Sequence, residues 1–460
     1  MTTNIKNNFT IFFLLIFVLI CGCKKFVEIS PSRTQIVESS VYNNDATATA
    51  VMTGMYSEMM SSYGFASGGE FSVTFLAGMS ADELTNYASG DLLQFSDNTI
   101  EPGNGINTSL WSECYSYIYT SNAVIGNVAA SSSLSSPVKK QLTGEAKFMR
   151  AFCNFYLVNL FGPIPNVTST DYRVNDTISR ASTMYIYNQI IADLSDAQNL
   201  LDSDYSFSNG EKVRPDKWAA TALLARVYLY TDDWQRAEEQ SSILINNTSF
   251  SLSTDINTIF LANSSEAIWQ LIPNQPGYDT EEGLFFILNG IPSLVSLTPD
   301  LVSSFEQNDL RRMNWIDSIT VSGQTYYYPY KYKIASGTSL TEYSMVLRLA
   351  EQYLIRAEAR TYQNNFSGAQ SDLNAIRNRA GLPNTTANDQ PSLLLAVEQE
   401  RQAELFTEWG HRWLDLKRTG RADAVLGPLK SPNWKSTDTL YPIPNIQLQN
   451  DPHFSQNAGY

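Results

Sequence analysis

Two stretches of this chain repeat each other, and the repeat narrows the folds open to it. "ARVYLYTDDWQRA", Ala225 to Ala237, aligns with "AEARTYQNNFSGA", Ala357 to Ala369. Ala225 meets Ala357, Tyr230 meets Tyr362, Trp234 meets Phe366 and Ala237 meets Ala369. Between the aromatics stand polar turn residues, Thr231-Asp232-Asp233 in one copy and Gln363-Asn364-Asn365 in the other. The pattern predicts helix, short turn, helix. Small alanines let two helices approach, and the aromatics fill the space between them. A unit of this kind cannot bury its apolar face alone, so it must stack on others.

The unit resembles the tetratricopeptide repeat, which places small and aromatic residues at such steps. The rest of the chain agrees. Apolar residues recur at three- and four-residue steps in "DATATAVMTGMYSEMMSSY", in "SLWSECYSYIYTSNAVIGNV" and in "QLTGEAKFMRAFCNFYLVNLFGPIP". They do so again in "YIYNQIIADLSDAQNLL" and in "SLLLAVEQERQAELFTEWGHRWLDLKR". The units are not in tandem. Residues 64–107 and about 246–343 are rich in Ser, Thr, Asn, Gly, Tyr and Pro. Long irregular segments inside a compact domain are uncommon and often functional. The expected fold is mainly α: a tetratricopeptide-like helical-pair scaffold carrying long irregular excursions with a few short strands. Residues 46–460 read as a single domain.

The N-terminus holds an unbroken apolar run, Ile11 to Ile20. A membrane-spanning helix needs about 20 apolar residues, so this run is too short to span. A polar start with Lys6, a short apolar core and small residues fit a secretory signal. Ile20-Cys21-Gly22-Cys23 resembles a bacterial lipobox, with Cys21 where Ala or Ser is more usual. That resemblance implies removal of residues 1–22, acylation of Cys23 with palmitate-like chains, and a lipid-anchored lead-in over 23–45. Two or more acyl chains hold a protein stably on a membrane, each buried methylene contributing roughly 0.8 kcal/mol.

Composition excludes several functions. The chain carries 46 acids against 31 bases, a net charge of −15, and no basic run. Phosphate backbones call for clustered Lys and Arg, so nucleic acid is not an expected partner. Beyond the leader and the anchor Cys23, the cysteines are Cys114 and Cys153, in apolar helical patterns that predict buried thiols, with a single disulfide open to an exported protein. The two histidines, His411 and His453, leave little for a metal site, and no metal or cofactor is expected.

Several stretches, in order over the whole chain, resemble SusD/RagB-type outer-membrane lipoproteins of Bacteroidetes. They include "CKKFVEISPS", "GEAKFMRAFCNFYLVNLFGPIP", "KWAATALLARVYLYTDDWQRA", "DLRRMNW", "LRLAEQYLIRAEA", "ERQAELFTEWGHRWLDLKRTG" and the tail "LYPIPNIQLQNDPHFSQNAGY". The resemblance implies a right-handed array of about four tetratricopeptide-like helix pairs with a ligand-binding half built on it. It also implies display at the outer membrane and a partner, a SusC-like TonB-dependent β-barrel transporter over which the protein sits as a lid. Pro442, Pro444 and Pro452 rule a helix out of the tail in this reading, which becomes an extended strap.

Two constellations look chemical. "GHRWLDLKRTGR" places His411 and Asp415 four residues apart on a helix, but Trp409, Trp413 and Leu416 predict a buried structural face. In "ADEL", Asp82 and Glu83 are adjacent, and neighbours on a strand point to opposite faces. That suits a glycosidase pair poorly, since such carboxylates face each other across a bond. The aromatics of the excursions carry more: Tyr63, Tyr87, Trp111, Tyr278, Trp315 and Tyr326 to Tyr328. A sugar ring has an apolar C–H face and a hydroxylated rim, so a flat aromatic beside Asn, Asp or Arg suits it. Asp82, Asn86, Tyr87, Asn107, Trp111, Tyr278, Trp315 and Tyr327 are therefore the expected ligand residues, with Arg311 and Arg312 nearby. The expected function is capture of a nutrient, an oligosaccharide first and a peptide as the alternative. A surface glycoside hydrolase and a scaffold using its concave face for protein partners are the competing readings.

Overall fold

The computed structural model describes residues 41–61, 64–451 and 453–460. Cys23, the leader, most of the lead-in and Tyr63 lie outside the described residues. The first helices are α1 (Asp45–Met59), α2 (Val73–Ser80), α3 (Gly105–Ala130), α4 (Ser136–Phe161) and α5 (Thr183–Leu200). The middle of the chain gives α6 (Lys217–Tyr230), α7 (Trp234–Ile245) and the short α8 (Leu310–Asn314). Towards the C-terminus come α9 (Leu349–Tyr362), α10 (Phe366–Arg379), α11 (Gln390–Leu405), α12 (His411–Arg418) and α13 (Asn445–Asn450). Packing runs as a relay: α3 on α4, α4 on α5, α5 on α6, α6 on α7, α7 on α9, and α9 on both α10 and α11. None of the helices among the described residues is long and apolar enough to cross a membrane.

The repeated sequence makes the same structure twice. Both α6 and α9 end on the aligned tyrosine, and both α7 and α10 begin on the aligned aromatic. In each turn the middle residue is left-handed, Asp232 at φ 59° and Asn364 at φ 60°, a conformation that short polar side chains tolerate. The next residue caps the following helix. Asp233 accepts from the Arg236 N–H at 3.2 Å and Asn365 from the Gly368 N–H at 3.1 Å, satisfying otherwise orphaned donors. Ala225, Ala237, Ala357 and Ala369 are fully buried, as close helix approach requires. The aromatics also join the two units: Trp234 stacks on Tyr362 with centroids 4.0 Å apart and planes 11° apart. Arg226, buried in α6, makes two bonds to Glu351 of α9, at 2.6 and 2.7 Å.

The excursions hold more regular structure than the sequence reading gave them. Strand β1 (Leu84–Asn86) pairs antiparallel with β3 (Val295–Leu297), and β4 (Ile316–Val321) with β5 (Gln324–Pro329). Strand β2 (Ala267–Leu271) pairs antiparallel with β6 (Ser344–Arg348), and every residue of both is buried. This pair brings the start and end of the long excursion together directly before α9. Short helices occur too, among them α2, Asp91–Ser96, Glu281–Phe286 and Pro299–Ser304. All eight residues of α2 are buried. "VTFLAGMS" is apolar on every side, so it has no amphipathic signature by which to read it as a surface helix.

The tail corrects one expectation. It contains a helix, α13, because the prolines flank the six-residue run rather than interrupt it, Pro444 serving as its N-cap. Its role as a strap holds. Tyr441, fully packed, donates its N–H to the Leu160 carbonyl at 2.8 Å, and the Asn457 amide donates to the carbonyls of Phe161 and Tyr441 at 2.9 and 2.8 Å. Cys114 and Cys153 are both buried free thiols.

Candidate ligand-binding surface

The site begins at the β4–β5 hairpin. Its two-residue turn, Ser322-Gly323, has φ values of 52° and 84°, the left-handed pair that matches the twist of the flanking strands. Register pairs Asp317 with Tyr328, Ser318 with Tyr327 and Ile319 with Tyr326. Successive side chains face opposite ways, so the three consecutive tyrosines are divided between two faces. Tyr326 meets Tyr87, edge to face, with centroids 6.0 Å apart and planes at 77°. Tyr328 shares that face, is buried, and donates its hydroxyl to Asp317 at 3.1 Å. Tyr327 turns the other way, onto the core and under the Arg312 guanidinium at 5.0 Å.

Tyr87 follows β1 and is held from below. Its N–H donates to the Leu294 carbonyl at 2.8 Å and its hydroxyl lies 3.0 Å from Ser296 Oγ of β3. Yet 42% of the residue stays exposed. An exposed ring fixed by a strand pair and a second ring is a preformed platform. Asn86 closes a local turn, accepting from the Ala88 N–H at 3.0 Å and donating to its carbonyl at 2.8 Å. Beside β1 runs a groove of about 390 Å³, lined by Thr85, Asn86, Asp97, Asp300, Leu429 and Lys430 among others. Burial pushes the Lys430 amine down to about 8.

Four expected ligand residues are placed elsewhere. Trp315 is fully buried, donates its indole N–H to the Ile256 carbonyl at 3.1 Å and packs under the Lys331 ammonium at 4.9 Å. It caps the C-terminal end of α8, whose Arg311 is locked by Asp309, Glu400 and Glu404, and so sits in the core rather than on a loop surface. Trp111 is 2% exposed, wedged against Phe161 and Tyr115. Asn107 is buried and donates to the Pro442 carbonyl at 2.9 Å, tying the tail to α3. Asp82 is not among these four: it lines the groove beside β1, but its carboxylate is already engaged in a two-bond pair with Arg412, at 2.8 Å each. Tyr278 is 39% exposed but belongs to another loop, secured by Asp279, which accepts from the N–H groups of Thr341 and Glu342. Tyr327 gives way to Tyr326 as the partner of Tyr87.

The chemical constellations resolve as structure. Glu83 is buried and accepts from the Thr407 N–H at 3.3 Å; burial and the nearby Asp82 push its carboxyl up to about 8. His411 is buried, and burial together with Arg226, Arg401 and Arg348 holds it well below its ordinary range. Asp415 bonds Arg401 at 2.7 Å and Arg418 at 2.8 Å rather than the histidine.

With this geometry in hand, the chain can be set beside known proteins. Residues 25–229 match the family profile described as "Starch-binding associating with outer membrane", and residues 306–460 match that of the SusD family. This chain belongs to the SusD/RagB family. Among curated SusD-like proteins, P2 of Formosa agariphila is 27% identical over 99% of this chain and 100% of its own length. A solved "Laminarin binding SusD-like protein" is 25% identical with a TM-score of 0.75, covering 91% of this chain and 100% of its own. Surface glycan-binding protein A from Bacteroides fluxus superposes with a TM-score of 0.76 at 22% identity, over 90% of this chain and 99% of its own. A SusD homolog from Bacteroides thetaiotaomicron gives 0.79 at 20% identity, over 93% and 99%. The tetratricopeptide-like architecture expected from the helical repeat, and the SusD-type arrangement that the family resemblance implies, are therefore the fold of this protein.

Proposed function

We propose that this SusD/RagB-family protein is a cell-surface lipoprotein that binds an oligosaccharide on the Tyr87–Tyr326 platform. The observation that carries this reading is the exposed Tyr87 ring, fixed edge to face against Tyr326 on paired strands and bordered by the polar groove beside β1. A rigid aromatic presents contact area at low entropic cost, and the adjoining amide and carboxylate groups suit sugar hydroxyls. The names of two similar structures, one binding laminarin and one a surface glycan, support the same ligand class. The ligand is then delivered to a TonB-dependent outer-membrane transporter, with the protein as its lid and Cys23 as its tether. Binding biases a closed complex, and no bond is made or broken. The engagement of Asp82 by Arg412 and the burial of Glu83 leave that pair unsuited to glycoside hydrolysis.

The test is titration calorimetry of the full soluble chain against laminarin, starch fragments and a peptide panel. Saturable binding of a glycan that falls at least tenfold in Tyr87→Ala, with an unchanged melting temperature, is the expected result. Binding confined to peptides, or glycan affinity untouched by Tyr87→Ala, rejects the proposal.

A further inference from the structure

The groove beside β1 is continuous with the Tyr87 platform. Thr85, which lines it, stands two residues before Tyr87, and the ladder that carries on to Leu294 puts both on one face. Ser296 of β3 lies opposite Thr85 and meets the Tyr87 hydroxyl at 3.0 Å. The exposed side chains of Leu93 and Leu429 also line the groove, adding apolar surface for the C–H face of a sugar. The charged groups along it, among the described residues, are Asp82, Asp97, Asp300 and Lys430. Asp82 is paired with Arg412, whose guanidinium is turned to Asp82 and Glu398. Lys430 commits two N–H groups to the carbonyls of Met79 and Ser96, at 2.7 Å each, and its burial opposes its charge. The carboxylates of Asp97 and Asp300 accept no hydrogen bond among the described residues.

We propose that this groove takes neutral glycans and turns away uronates and sulfated sugars, and that Asp97 and Asp300 set the preference. The proposal rests on the reading of the Tyr87–Tyr326 platform as a glycan site. A carboxylate or sulfate that leaves water needs charged donors in exchange. Its strong partners are guanidinium or ammonium groups with open N–H bonds. Here the nearest guanidinium is bound to Asp82, and the one lining ammonium is held by two carbonyls with Asp82 and Asp97 close to it. Those two cations balance two of the three lining carboxylates. The groove therefore keeps a net negative charge, in a chain whose own net charge is −15. A hydroxylated, uncharged ligand meets the opposite situation. Asp97 and Asp300 accept from sugar O–H groups, in bonds that an ionised acceptor strengthens. The same two carboxylates thus hold hydroxyls and repel anions.

Titration calorimetry of the full soluble chain against matched pairs tests the assignment: laminarin with laminarin sulfate, and starch fragments with carboxymethyl starch. The expected result is saturable binding of a neutral member, with its charged derivative at least tenfold weaker at about 0.01 M ionic strength. The gap should close to about threefold near 1 M salt, as the Debye length falls from about 30 Å to about 3 Å. A purely steric penalty from the added group does not respond to salt. The double variant Asp97→Asn with Asp300→Asn should also narrow the gap to about threefold at low salt, while weakening the neutral member through the loss of charged acceptors. Neither side chain is buried, so the double variant keeps the fold, which an unchanged melting temperature checks. Equal or tighter binding of the charged derivative, a gap indifferent to salt, or one that persists in the double variant overturns the selectivity and leaves the platform standing. No binding of any of these glycans by the parent chain rejects the platform itself, and this inference with it.

Discussion

At the scale of single residues, the division of labour among Tyr326, Tyr327 and Tyr328 is decided by strand parity. A one-residue shift along a strand exchanges its faces, so neighbouring identical side chains have unrelated tasks. Tyr326→Ala should weaken glycan binding severalfold by removing the ring against which Tyr87 rests, and Tyr327→Ala should leave affinity near the parent value while lowering the melting temperature through lost core and Arg312 contacts. Calorimetry and thermal melts on both variants check this. The sequence announced that aromatics cluster here but not which one faces outward, because the "SG" hairpin turn that sets the register sits inside a polar stretch with weak alternation. The burial of Trp111, Trp315 and Asn107 escapes the sequence for a related reason. Polar neighbours in sequence say little about neighbours in space, and the partners that bury these three come from Phe161, Ile256 and Pro442.

At the scale of elements, α8 is the joint between the scaffold and the proposed binding surface. Arg311 is 1% exposed and holds Asp309, Glu400 and Glu404 within 3.1 Å, while the adjacent Arg312 reaches Tyr327 of the hairpin. Removing one member of a buried ion group strands the others, at about 3–5 kcal/mol. Arg311→Met should therefore cost about that much in chemical denaturation. A stability loss below about 1 kcal/mol would show that the network is not holding the joint. The helical elements were readable from the sequence because each amphipathic stripe repeats locally, and the paired copies reinforce one another. The buried helix α2 and the strand pairs were not, since one is apolar all round and the others join residues far apart in the chain.

At the scale of the whole molecule, buried acids make stability depend on pH in a defined direction. Burial raises Glu83 and Asp216 to about 8, and Glu282 and Glu342 to about 7. A carboxyl whose folded value lies above its unfolded one keeps its proton longer in the native state, so its contribution is full below the unfolded value near 4.5 and is lost as pH rises through the folded value. The melting temperature should fall from pH 5 to pH 7, and Glu83→Gln should flatten the slope by up to ~1.4 kcal/mol per pH unit. A profile that rises over that range contradicts the assignment. Intact mass of the membrane-extracted protein tests the proposed anchor, which predicts a chain beginning at an acylated Cys23.

The pairing of β2 with β6 has a consequence for how such proteins diversify. Because the two ends of the long excursion are stapled side by side, and Trp234 lies flat on Tyr362 across the gap, the scaffold does not register how much chain loops out between them. Segments of quite different length can be grafted at that junction while the helical frame on either side keeps its packing.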